Sequence, residues 1–165
     1  MAGDERIESP QRHQLKTRGD SLVILAYRCW QAGFDYSDAE RWQYAWVALS
    51  NEFGPVQARP ILSAIEDFVR GLRQVSVRQI DYYPPPCCRA SHSEQVILEL
   101  IAALQAGEPF VGHWIEALCG DLPDASAARV LKPARALASS LLDAGIAVLA
   151  DRPARAARPP FKHLH

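Results

Sequence analysis

Long apolar runs, an apolar leader and every compact catalytic signature are missing from this sequence. No stretch approaches the roughly 18 consecutive apolar residues of a membrane-spanning helix, which argues against a membrane protein. Residues 1–20 mix four basic with four acidic side chains, and they lack the apolar centre of a secretory signal. The expected location is therefore cytoplasmic. Cysteines number only four, and without an export signal they are read as reduced thiols rather than two disulfides. There is no CxxC, HxxxH or HExxH, no G-x-S-x-G elbow and no glycine-rich phosphate loop. Each of those motifs would have tied the chain to a named chemistry. Their absence leaves no basis for an enzyme, and the expectation leans to a non-enzymatic protein.

What is present is ordinary for a globular chain. The 165 residues are 48% hydrophobic and 22% charged, enough to bury a core without cross-links. The net charge is −1 but unevenly spread. Residues 70–90 carry Arg70, Arg73, Arg78 and Arg89 against Asp81 alone. The tail carries Arg152, Arg155, Arg158 and Lys162 against Asp151, while 21–69 and 91–149 are net acidic.

Helical punctuation recurs along the chain and predicts an all-α single domain, a bundle or irregular array of about six helices. The first helix is expected over 21–32, with a stripe of Leu22, Leu25, Ala26 and Cys29, and Gly33 as its left-handed exit. A capping box of Ser37 and Glu40 opens the second, whose Trp42, Ala45, Trp46, Leu49 and Phe53 share one face. Gly54-Pro55 ends it. The third is expected from Pro60 to about Arg73, burying Ile61, Ile65, Phe68, Val69 and Leu72. Pro84-Pro85-Pro86 forbids helix, and Val75 with Val77 allows a short extended piece. Ser91 and Glu94 form a second capping box ahead of Val96, Ile97, Leu100, Ile101 and Leu104. A fifth helix is expected from Pro109 to Cys119, with Phe110, Trp114, Ile115 and Leu118 inward. A sixth spans about 124–144, with Pro133 kinking or dividing it. Three helices are read as ending alike, at Gln31-Ala32-Gly33, Gln105-Ala106-Gly107 and Asp143-Ala144-Gly145. Residues 1–19 are read as a flexible segment, 20–149 as the helical domain and 150–165 as a disordered basic tail.

The run Pro84-Pro85-Pro86-Cys87-Cys88-Arg89-Ala90-Ser91-His92-Ser93-Glu94 is the most unusual feature, and three readings of it stand side by side. A metal site would use Cys87, Cys88 and His92, completed by Cys119 or His113, with zinc or iron as the ion. Redox or nucleophilic chemistry would use Cys87 and Cys88, since a helix N-terminus and Arg89 favour a thiolate. The plainest reading is packing at a tight junction, and no cofactor is expected. Cys29 lies on an apolar stripe and reads as core. Arg70, Arg73, Arg78 and Arg89, with Tyr82 and Tyr83, carry the ingredients of weak nucleic-acid contact, cations beside stacking rings. Their alternative is helix ends whose arginines offset the dipole. Trp30, Trp42, Trp46 and Trp114 are read as core, with Trp30 a candidate partner contact.

Pro85-Pro86-Cys87-Cys88, then Ser91-x-x-Glu94 opening a helix that closes in Ala106-Gly107, is similar to an uncharacterised family of small helical proteobacterial proteins, a domain of unknown function. The resemblance spans residues 35–149 and is carried by Pro86, Cys87, Cys88, Ser91 and Glu94. Arg89 and His92 depart from the family pattern. The resemblance implies no activity and draws interest to Cys87 and Cys88. Taken together, the sequence predicts a protein that works through contacts with another protein or by self-association, or as a small regulator. Metal or thiol chemistry is the second reading, and nucleic-acid binding the third.

Overall fold

The computed structural model describes residues 13–149. The expected basic tail and the first twelve residues lie outside the described residues, and so do Arg152, Arg155, Arg158 and Lys162. Among the described residues the elements are β1 (His13–Gln14), α1 (Arg18–Tyr36), α2 (Ala39–Phe53), α3 (Pro55–Val75), β2 (Arg89–Ala90), α4 (His92–Gln105), α5 (Gly112–Cys119) and α6 (Asp124–Asp143). The all-α expectation holds. The only sheet among those residues is β1 against β2, antiparallel, with His13 opposite Ala90. Among the described residues, regular structure is present at His13–Gln14 and from Arg18 onward.

Helix α1 is capped by Thr17, whose hydroxyl accepts the Asp20 amide at 3.0 Å, and it does not stop at Gly33. It runs to Tyr36 and exits through Ser37 at φ 51°. Gly33 is there for a tertiary reason: a Cβ on it would lie 2.2 Å from the indole nitrogen of Trp42. Since Ser37 is the left-handed exit, it does not form the expected box with Glu40. Asp38 caps α2 instead, accepting the Glu40 amide.

Helix α3 begins at Pro55, directly after Gly54, not at Pro60. Proline suits the first helical position because its missing N–H has no helical partner there. Pro60 lies inside the helix, and the carbonyl it fails to satisfy belongs to Val56, whose side chain is exposed. Pro133 similarly lies within a continuous α6. The carbonyl it leaves without a helical donor is that of Arg129. That same oxygen would sit 2.6 Å from a Cβ on Gly71. Gly71 therefore lets α3 and α6 approach backbone to backbone, and this is the most extensive helix contact of the fold.

The core gathers Ile24, Tyr27, Leu49, Ile61, Ile65, Phe68, Leu72, Leu100, Ile101, Val130 and Leu141, all buried. Helix α4 contributes Val96, Ile97, Leu98, Leu100 and Ile101 to it, all buried. Trp42, Trp46 and Trp114 pack against the core from half-buried positions, while Trp30 is buried. Helix α5 starts at Gly112, later than Pro109. The buried residue at its start is Val111, and Phe110, expected inside, is 82% exposed. Of the three endings read as alike, Gly107 and Gly145 adopt positive φ and Gly33 does not. No strand forms near Val75–Ile80. The chain after α6 is tied down by Gln105, which bonds Val148 and Ile146, and by Asp20, which accepts the Leu149 amide at 2.9 Å.

Candidate functional site

Two linked polar clusters stand out from the apolar body. The first surrounds Arg28, a cation on the inner face of α1 and only 1% exposed. Its Nε and Nη2 donate to the two carboxylate oxygens of fully buried Glu94, at 2.7 and 2.9 Å. Its remaining donors reach backbone carbonyls of Pro84 and Pro85 at 3.3 Å, and those of Cys87 and Arg89. Glu94 in turn accepts the Tyr83 amide at 3.1 Å and the Ser91 amide at 2.8 Å. The Ser91–Glu94 capping box is present as expected, and its glutamate does a second job. A buried ion pair is tolerated only when nearly every donor and lone pair is engaged, and here they are. The Pro-Cys-Cys run is thus a strap wound around one guanidinium.

This geometry sets what the cysteines can do. The amide of Cys87 closes a turn to the Pro84 carbonyl at 3.0 Å, and the Cys88 carbonyl accepts the Leu15 amide at 3.0 Å. Cys88 is exposed and Cys87 half-buried. Cys29 and Cys119 are buried, and burial pushes each thiol up to about 11. Cys119 lies against the chain after α3, its carbonyl accepting the Val77 amide at 2.9 Å. His92 is exposed at the start of α4, and exposed His113 leans on the ring of Trp114. All four cysteines are free thiols, and no group of three or more His, Cys, Asp or Glu that could hold a metal ion occurs among the described residues.

The second cluster begins where the strap meets α1. Tyr82 donates its hydroxyl to Asp35 in the last turn of α1. The Nη1 of Arg73, in the last turn of α3, lies 2.8 Å from Asp35 and 2.8 Å from the amide oxygen of Gln31. Buried Gln31 is itself oriented by donating to Tyr27 at 3.0 Å. Partial burial pushes the Asp35 carboxyl up, but hydrogen bonds from Tyr82 and Arg73 outweigh it and hold the group below its usual range. The proton of Tyr82 is held more tightly than usual, by burial first and by the Asp35 charge. Gln31, Asp35, Arg73 and Tyr82 line a cleft of about 210 Å³ together with Leu72, Ser76, Arg78, Gln79 and Ile80.

The arginines read as a nucleic-acid stripe are divided by this arrangement. Arg73 and Arg78 share the cleft. Arg70 pairs with Glu66 at 2.5 Å, and both Arg70 and Arg73 stack on the ring of Phe34. Arg89 is exposed on β2. Tyr82, read as a stacking ring, has its hydroxyl committed to Asp35. Sequence reasoning missed Arg28, Asp35 and Gln31. The available signal was a cation and an amide, at positions 28 and 31, on the same helical face as Ile24 and Tyr27. Comparison with protein-family models, curated proteins and solved structures finds no match to this chain.

Proposed function

We propose that this chain is a non-enzymatic helical binding protein whose partner is another protein, docked on the outer face of α2. One observation carries the reading: α2 has fifteen residues and buries only Ala45 and Leu49. Tyr44 and Val47, one turn apart on its outer side, are 60% and 46% exposed. Tyr36, at the end of α1, extends the patch under the Arg41 guanidinium, 5.3 Å from its ring centre. Tyrosine and arginine are the residue types that anchor protein interfaces, because each joins a large apolar body to a polar tip. The test is a photo-crosslinking residue placed at position 44, with a control at exposed Ser63 on α3. Crosslinks to a second chain from position 44 and not from 63 support the reading. No crosslinks from 44, or equal ones from both, would overturn it.

Thiol chemistry at Cys87 and Cys88 is a second reading, favoured by the exposure of Cys88 on a strap whose backbone is fixed by Arg28. The labelling experiment described below separates it from mere packing.

A further inference from the structure

The cleft between α1, α3 and residues 76–82 holds more fixed charge than the fold needs for its own cohesion. Arg73 uses Nη1 for both Gln31 and Asp35. Among the described residues this leaves its Nε–Nη2 edge without an acceptor, and that edge is one of the two on which a guanidinium grips an oxyanion with parallel hydrogen bonds. Asp35 and buried Gln31 lock the guanidinium in place, so little side-chain freedom is lost on binding. Arg78 lines the same cleft and donates only a long bond, 3.4 Å, to the Ala117 carbonyl. Asp35 is already matched by Arg73, so the charge of Arg78 is surplus. The last turns of α1 and α3 end at this cleft, and their carbonyls would repel an anion. With Arg73 matched to Asp35, the charge of Arg78 about offsets the roughly half-unit negative charge at each of those two helix ends. Recognition of an anion therefore rests on the directed N–H groups of Arg73 and Arg78 rather than on net charge.

We propose that this cleft binds a small oxyanion, a carboxylate or phosphate group carried by a compact molecule, gripped by Arg73 and Arg78. Ser76 and Gln79 supply neutral hydrogen-bonding groups at the same cleft. Size sets the scale: about 210 Å³ is below the roughly 300–1,000 Å³ of pockets for drug-sized ligands. No residue of α2 lines this cleft, so each proposal can fail without the other.

The test follows the Nε–Hε resonances of the arginines by NMR in the full chain during titration with inorganic phosphate and, separately, with succinate. Sodium chloride at matched ionic strength is the control, since a screening effect alone follows ionic strength. Saturable shifts of Arg73 and Arg78 with either probe, beyond the chloride response, support the proposal, and the stronger probe identifies the oxyanion class. Arg78→Gln, which breaks no ion pair, should weaken that binding by about tenfold or more. Arg73→Lys, which keeps the charge but loses the fork, should weaken it as well. Shifts no larger than those from chloride, or equal affinity in wild type and Arg78→Gln, would overturn it.

Discussion

Arg28 and Glu94 form a bidentate ion pair across 66 residues of sequence, both almost wholly excluded from water. The pair does more than join α1 to α4. Its spare donors and lone pairs hold the strap from Tyr83 to Ser91, and that strap delivers Tyr82 to Asp35. Removing one partner leaves a buried charge with nothing to answer it. Arg28→Met is expected to cost about 3–5 kcal/mol in urea unfolding. The double change Arg28→Met with Glu94→Met should cost less than the single one, because the orphaned carboxylate is gone. A double variant as unstable as the sum of two singles would show that the two side chains do not act as a unit.

Gly33→Ala separates a tertiary role from a local one. Alanine in a helix interior normally stabilises relative to glycine by about 0.5–1 kcal/mol. Here the added methyl meets the Trp42 indole at 2.2 Å, so the substitution should destabilise, by about 1–3 kcal/mol. A gain in stability would mean that Trp42 moves away freely.

Cysteine labelling ranks the four thiols. Thiolate is the reactive form, and burial holds Cys29 and Cys119 at about 11. An alkylating probe at pH 8 should therefore modify Cys88 first, and Cys29 and Cys119 only slowly, as read by mass spectrometry of peptides. Cys87→Ser and Cys88→Ser distinguish chemistry from packing: a redox role predicts loss of disulfide formation with oxidised glutathione, at little cost in stability. Slow labelling of all four would leave the strap as packing.

Acid should weaken the Asp35 cluster in a defined direction. The carboxyl titrates below its ordinary value of about 3.9 in the folded chain. Its stabilisation is therefore complete above the unfolded value and is lost as pH falls through the folded one. Asp35→Asn should flatten the decline of unfolding free energy below about pH 4. An unchanged acid limb would show that the Tyr82 and Arg73 bonds are not made in solution.

How much of this was legible in the sequence follows from how local each signal is. The Ser91–Glu94 box spans four residues and was readable outright, as were the stripes of α3 and α4. Gly33 was misread because its reason lies in Trp42 on the next helix, and the same composition would serve a helix end. Phe110 followed an amphipathic pattern that begins one residue later, at Val111. Arg28 shares a helical face with Ile24, Tyr27 and Gln31, which marks it as an inward cation, but nothing near it in sequence announces Glu94 as its partner. The cleft was invisible for the same reason: Gln31, Asp35, Arg73 and Tyr82 meet only when the strap is in place.

Hydrogen exchange at the Tyr83 and Ser91 amides tests most directly whether the Arg28–Glu94 pair holds that strap. Both donate to Glu94, and exchange reports the opening of individual hydrogen bonds. In the Arg28→Met, Glu94→Met double variant, these amides should exchange far faster than in the wild type. Amides of α3 and α6, the most extensively packed helix pair, should keep their protection relative to the global stability of the same variant. Protection at Tyr83 and Ser91 that is unchanged, or lost in step with α3 and α6, would contradict the account.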